Sequence, residues 1–238
     1  MNIIENLKLK SRINELGKLK TDYGIHEKMN REKLILFLKD PKKMIGIDIN
    51  GVFGDLFAPI IFVAVRTNDF DLFQLVISIG GNEDIVYEEM TLYDAICVWA
   101  TNLTFFDYLE KKGNNFSRET KWGTTPIIPI VNTLSFESIK NEQGKENRYA
   151  DIEKVYKYLL SKKIDINYGG KGKPSPLMIA AKISSISTIK QLLSDGADKN
   201  RKYFIEEIEK EMNCKEFYKY TMKHDEKEIN ETIVNMIQ

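Results

Sequence analysis

The sequence predicts an all-α protein built from stacked helix-turn-helix units. Two observations predict it: short apolar segments with helical periodicity end at a glycine, and Ser or Thr residues before proline mark helix starts upstream of them. Both signals recur at a nearly constant spacing. With 238 residues, of which 42% are hydrophobic, the chain can bury a core.

The helix ends give the clearest spacing. Each of three runs places a glycine just after its apolar-periodic segment: Phe70–Asn82, Leu103–Asn115 and Ile186–Asp198. The spacing that separates Gly80 from Gly113 also separates Lys163, in a related run, from Gly196. Glycine is favoured after a helix because it adopts positive φ freely. We therefore expect the helix before Lys163 to end differently.

The helix starts repeat with the same spacing. In Thr125-Pro126 and Ser175-Pro176 the hydroxyl residue can cap a helix whose first turn tolerates proline. The equivalent sites are Ala58-Pro59 and Thr91-Leu92, and the interval is longer only between the last two starts. A period of about 33 residues with two helices per unit indicates a helical repeat protein.

These residues resemble the ankyrin-repeat family. Ser175–Asn200 follows the family pattern of a Thr-Pro-Leu-like start, two alanines, an apolar second helix and Gly-Ala-Asp before Asn. The resemblance covers about residues 43–202 and implies a solenoid with hairpin-like finger loops and helical end caps. It departs from the family where a histidine is usual, since Ile61, Asp94, Ile128 and Met178 occupy that place. The register of the first two units is open by one residue.

Three regions follow from this resemblance. Residues 1–46 are expected to form an N-terminal helical cap with a degenerate first repeat, residues 47–202 the repeats, and residues 203–238 a helical cap. A polar insertion at about 135–150 lengthens the third full repeat and is either a tolerated mobile loop or a functional one. Phe204–Met212 has a helical pattern. Either end could instead be a partner-binding helix.

Composition excludes several classes of protein. Lys+Arg and Asp+Glu are equal at 35 each, which argues against a dedicated nucleic-acid binder. Cys97 and Cys214 are too few for a disulfide scaffold or a zinc site and fit buried thiols in a reducing compartment. The N-terminus lacks the apolar region of a secretory signal, and the apolar run Leu56–Val65 is too short to span a membrane. We expect a soluble, cytoplasmic monomer.

Motifs for catalysis are missing from the sequence. His26 and His224 stand outside the repeats and in no recognisable motif, and Tyr168–Ser175 lacks the spacing of a phosphate-binding loop. That loop instead matches a finger, where glycine permits a tight turn with positive φ. We expect no enzyme activity, metal or cofactor. The alternatives are an enzyme with an unrecognised site in the insertion or terminal regions, and self-assembly through uncapped ends.

The resemblance also implies where a protein partner binds, namely on a concave face made of fingers and first helices. The finger positions are Asp55, Glu88, Lys121, Trp122 and Lys171. The helix positions are Arg66, Trp99, Asn132 and Lys182. Tryptophan and arginine are enriched in binding hot spots. Trp99 either packs within the stack or contacts the partner, and Trp122 either staples its finger or contacts the partner.

The fingers differ in charge. Glu83, Asp84, Glu88 and Glu89 make one finger acidic, whereas Lys171 and Lys173 make the last one basic. A face graded from negative to positive would orient a dipolar partner. The sequence therefore predicts a protein-interaction module. A narrower version is a specific inhibitor or neutraliser of one partner.

Overall fold

Helices form most of the described chain, in agreement with the predicted all-α class. The computed structural model describes residues 3–25, 30–52, 54 and 58–238. The chain divides into two compact units, Met1–Ala100 and Thr101–Gln238. The strands in the described part of the chain form one two-stranded antiparallel hairpin, in the second unit.

Helix α4 is the main packing element of the first unit. It packs against α1, α5 and α6, and α1 also packs against α2. Residues Ile60 to Val65 are all buried, so α4 is apolar on every side. The helices of this unit are α1 (Ile3–Ile25), α2 (Arg31–Lys39), α3 (Pro41–Met44), α4 (Ile60–Arg66), α5 (Phe70–Ser78) and α6 (Leu92–Trp99).

A partly buried ion pair connects α1, α2 and α5. Arg31 donates two hydrogen bonds to Asp69, from Nε to Oδ2 at 2.5 Å and from Nη2 to Oδ1 at 2.8 Å. The Tyr23 hydroxyl donates to the same carboxylate at 2.7 Å. Asp69 also caps α5 by accepting from the Leu72 N–H at 3.0 Å. Burial raises the pKa of Asp69, but its hydrogen-bond donors outweigh that effect and hold the pKa below its usual value.

Two helices, α8 and α10, are the main packing elements of the second unit. α8 packs against α9, α10 and α11, whereas α10 packs against α11 and α12. α7 packs against α9, and α11 against α13. The elements are α7 (Leu103–Lys111), α8 (Ile127–Glu142), α9 (Tyr149–Ser161), α10 (Pro176–Ile183), α11 (Ile186–Ser194), β1 (Tyr203–Ile205), a 3-10 turn (Glu206–Ile208), β2 (Lys210–Met212), α12 (Cys214–His224) and α13 (Glu231–Met236).

Of the helix caps predicted at Thr91, Thr125 and Ser175, two are confirmed and one is wrong. Ser175 caps α10, with Pro176 as the first helical residue. Thr91 caps α6 in a capping box with Asp94. Thr125 does not cap α8, which begins at Ile127, because its hydroxyl donates instead to the Tyr168 carbonyl at 2.8 Å.

The predicted loop at 135–150 is wrong for residues 135–142, which continue α8 toward its end at Glu142. Ser135, Glu137 and Ser138 are buried there. Ser138 hydrogen-bonds Ser185 at 2.6 Å, and Glu137 accepts from the Arg148 N–H at 2.8 Å. Polar side chains can be buried when they are hydrogen-bonded, so a polar composition did not require a loop.

The predicted helix over Phe204–Met212 is also wrong, because these residues belong to the β1–β2 hairpin. Tyr203 lies opposite Met212, and Ile205 lies opposite Lys210 and is buried. The Glu206 N–H donates to the Gly172 carbonyl at 3.1 Å, which ties the hairpin to the preceding finger. The strand pairing and the contact with Gly172, which is distant in sequence, together outweigh a local helical pattern.

Helix α9 ends as its glycine-terminated counterparts do, contrary to expectation. Lys163 adopts φ +59°, in the same left-handed region as Gly80, Gly113 and Gly196. An L-residue in this region costs roughly 1–2 kcal/mol. The repeated backbone geometry is therefore retained although the sequence lacks its favoured residue.

Asx turns recur after the second helices with the same spacing as the helix starts. In each turn a side-chain oxygen accepts from the N–H two residues later, at 2.8–2.9 Å, and the turns begin at Asp48, Asn82, Asn115, Asp165 and Asp198. Their period is about 33 residues, except in the unit that α8 lengthens. In each of the two compact units, a hydrogen bond links two successive turns. Asn50 Oδ1 accepts from the Asn82 N–H, and Asn167 Oδ1 accepts from the Asp198 N–H, each at 2.7 Å.

Candidate partner-binding site

A cleft in the first unit brings together three of the residues predicted to bind a partner, Arg66, Glu88 and Trp99. Its volume is about 180 Å³. The other lining residues are Ala58, Phe62, Val63 and Tyr87. The site therefore combines an aromatic wall with one guanidinium and one carboxylate.

The aromatic wall is built around Phe62. Its ring centroid lies 5.6 Å from that of Tyr87 at an interplanar angle of 55°, and 6.5 Å from that of Trp99 at 77°. Tilted and edge-to-face contacts of this kind are favourable because the ring quadrupoles are complementary. Phe62 is buried, whereas Tyr87 and Trp99 remain partly exposed. The three rings pack against one another and form an apolar surface that is partly exposed.

Trp99 packs against its neighbours, as one of its two predicted roles requires, and its role in binding a partner stays a prediction. It is the last residue of α6, and its ring packs edge-on against Phe62 while it also lines the cleft. Partial exposure leaves room for a further contact. Packing on one side restricts the ring, which lowers the entropy that is lost when a partner binds on the other side.

The finger between α5 and α6 presents Tyr87 and Glu88 to the cleft. Tyr87 and Met90 exchange two backbone hydrogen bonds, of 3.0 and 2.9 Å, and so enclose a two-residue turn. Both turn residues have positive φ, +49° at Glu88 and +62° at Glu89. The Tyr87 hydroxyl donates to Glu88 Oε1 at 3.0 Å. Burial, and then this carboxylate, raise the pKa of Tyr87.

Arg66 closes the helical end of the site. It lies in the last turn of α4, four residues after Phe62, so both side chains are on one face of the helix. Arg66 is exposed. Its guanidinium makes no hydrogen bond or ion pair within the described residues.

The predicted residues of the second unit form a separate group. Trp122 is 43% exposed, and the Lys121 ammonium lies 5.1 Å from the centre of its ring. Lys171 is exposed on the next finger, and its backbone N–H donates to Glu119 Oε1 at 3.0 Å. The Tyr168 hydroxyl donates to the same oxygen at 2.6 Å. Glu119 therefore fixes the position of the Lys171 finger.

On the helices of this unit, Asn132 and Lys182 are exposed on α8 and α10. Phe136, four residues after Asn132, is also exposed, at 52%. Phe136 was not among the predicted contact residues because its segment was expected to form a loop. Tyr87 was not among them either, although an aromatic residue in a predicted finger was a usable signal. The remaining predicted residue, Asp55, lies outside the described residues.

The predicted charge gradient is weakened in the second unit. The finger containing Lys171 and Lys173 is followed by the acidic β1–β2 hairpin, and the Lys173 ammonium lies 3.8 Å from Glu207. Because Phe204–Met212 was predicted to be a helix, these carboxylates were not expected beside the basic finger. Gly170 and Gly172 have positive φ, as predicted for that finger.

The described residues offer few groups suited to catalysis. They contain no cluster of three His, Cys, Asp or Glu side chains that could hold a metal ion. His224 is exposed and lies 3.3 Å from its neighbour Asp225, whereas His26 lies outside the described residues. Cys97 and Cys214 are buried and form no disulfide in the described part of the chain, and burial raises the pKa of Cys214 to about 12. None of the described helices is long and apolar enough to cross a membrane.

Comparison with known proteins provides no family for this chain. No family model matches it, and no curated protein has a significantly similar sequence.

Proposed function

We propose that this chain is an ankyrin-type repeat protein whose function is to bind another protein. The repeated elements support this proposal. Helix pairs alternate with finger loops, and Asx turns follow with a period of about 33 residues that one lengthened unit interrupts. Fold-level likeness implies a binding role only by analogy, whereas the residues of the cleft support that role directly.

The observation that carries the proposal is the convergence of Arg66, Glu88 and Trp99 on one cleft. Pockets for small molecules and cofactors usually measure about 300–1,000 Å³. A cleft of about 180 Å³ is smaller and matches a single large side chain. Binding hot spots are enriched in Trp, Tyr and Arg, and all three line it. This combination favours an anchor site for a partner protein.

The exposed residues of the second unit form a second candidate contact group. Trp122, Phe136 and Lys182 belong to it, with Lys121, Asn132 and Lys171. In the narrower form of the proposal, the partner is held in an inactive state. The protein then acts in the cytoplasm as a monomeric, specific inhibitor.

Affinity capture from the source cell tests the proposal. The purified wild-type protein is compared with Trp99→Ala and with Trp122→Ala, a matched change at the other tryptophan. Loss of a hot spot costs at least about 2 kcal/mol, so we expect Trp99→Ala to bind the captured partner about 30-fold more weakly. Circular dichroism establishes that each variant is folded.

The outcomes separate the two units. A stoichiometric partner that is lost by Trp99→Ala supports the cleft as the main site. Loss of the partner by Trp122→Ala alone would place the main site in the second unit. No partner, or full retention by both variants, contradicts the proposal.

A further inference from the structure

We infer that the aromatic cleft binds an arginine side chain of the partner, with the guanidinium placed against Tyr87 and Glu88. This inference rests on the proposed function and names the chemistry that the cleft recognises. A guanidinium is planar, stacks on aromatic faces and pairs with carboxylates in a fixed geometry. The cleft supplies three aromatic rings and the Glu88 carboxylate.

Charge in the finger favours a cationic occupant. Glu83, Asp84, Glu88 and Glu89 are close together in the sequence of the finger, and the cleft has one acidic lining residue, Glu88, and one basic one, Arg66. Glu88 accepts a hydrogen bond from Tyr87, which orients its carboxylate at the cleft. A carboxylate has about four acceptor positions, so it can accept a guanidinium in addition to the bonds that it already makes.

The backbone of the finger supports this interpretation. A two-residue turn with positive φ at both positions normally contains Asn-Gly or a similar pair. Here both positions are glutamates, at φ +49° and +62°. The chain therefore places two carboxylates where other residues would be more stable. Strain of this kind is concentrated at functional sites.

Arg66 is the like charge that a cation in the cleft would meet. It lies on α4, one helical turn beyond Phe62, whereas Glu88 belongs to the finger. A partner arginine is expected beside Glu88 and Tyr87, and Arg66 should lower its affinity.

Nuclear magnetic resonance of the two tryptophan indole N–H groups tests the inference. The probe is N-acetyl-arginine amide, and its matched control is N-acetyl-citrulline amide, which is neutral and has nearly the same shape. Trp122→Phe assigns the two signals. We expect the arginine probe to shift the Trp99 signal with at least about tenfold higher affinity than the citrulline probe.

Two substitutions make the test specific for Glu88. Glu88→Gln should abolish the preference for arginine, whereas Asp84→Asn, a change on the same finger, should leave most of it. A third, Arg66→Gln, should strengthen binding of the arginine probe because it removes a like charge. Thermal unfolding establishes that all three variants fold.

Three results would each overturn the inference. They are equal binding of both probes, no shift of the Trp99 signal even at high probe concentration, and an unchanged preference for the arginine probe in Glu88→Gln. These results are independent of partner capture. If a partner is captured and is lost by Trp99→Ala while the probes fail, the proposed function stands without arginine recognition. If the arginine probe binds as expected but no partner is captured, the proposed function fails instead.

Discussion

The ion pair between Arg31 and Asp69 is expected to be a major stabilising contact of the first unit, and Asp69→Asn tests this. The Asp69 carboxylate accepts four hydrogen bonds, from Arg31, Tyr23 and Leu72, and its side chain is only 6% exposed. Hydrogen bonds to a charged group contribute about 1.5–3 kcal/mol. Asparagine retains an acceptor for the cap but loses the charge, and Arg31 is 36% exposed, so water offsets part of the loss. We expect a loss of about 2 kcal/mol.

Asp71→Asn is the matched control. Asp71 Oδ2 lies 3.5 Å from the same Arg31, but the Asp71 side chain is 87% exposed. Exposed ion pairs contribute about 0–1 kcal/mol, so this variant should lose less than about 0.5 kcal/mol. Urea unfolding followed by circular dichroism at neutral pH measures both differences.

The pH dependence gives a second check on the same pair. The folded pKa of Asp69 is below its usual value, so its stabilisation is complete above the unfolded pKa, near about 3.9. That stabilisation is lost as the pH falls through the folded pKa. The difference between the wild type and Asp69→Asn should therefore shrink below about pH 4. Equal losses in the two variants, or a difference that is the same at neutral and at strongly acidic pH, would refute the reasoning.

Three further predictions concern the turns and a thiol. Lys163→Gly should raise the free energy of unfolding by about 1 kcal/mol and the Tm by about 2–4 °C, because it relieves a left-handed residue. Lys163→Ala keeps the strain and should show no gain in thermal unfolding; equal gains in both variants would contradict this explanation. Replacing Glu88 by Asn and Glu89 by Gly should stabilise the finger by about 1 kcal/mol and weaken partner capture, whereas unchanged capture would remove the finger from the site. Cys214, with its pKa raised to about 12 by burial, should react with iodoacetamide at mildly alkaline pH only after urea unfolding, and rapid labelling of the native protein would show that it is accessible.

Local signals predicted the parts of the fold that depend on nearby residues. Ser175 and Thr91 cap their helices as expected because a cap needs only a side-chain oxygen and an N–H a short distance along the chain. The glycines at helix ends adopt positive φ for the same local reason. The end of α9 was predicted wrongly because Lys163 adopts a left-handed conformation that residues other than glycine seldom adopt.

Elements that depend on distant contacts could not be predicted in this way. The hairpin around Glu206 is hydrogen-bonded to the Gly172 carbonyl, which belongs to the finger before α10. The extension of α8 buries Ser138 against Ser185, 47 residues away. Neither contact leaves a pattern within a short window of sequence, so composition indicated a helix in one case and a loop in the other.

The same division applies to the candidate site. The sequence by itself predicted Arg66 and Trp99 as helix contacts and Glu88 as a finger contact, through the resemblance of the repeats to the ankyrin family. Only the tertiary structure decided that they share one cleft with Phe62 and Tyr87 and that its volume matches a single side chain. A period defines which residues are equivalent. The size and charge of a cleft depend on how rings and turns from separate elements pack, and residue spacing does not specify that packing.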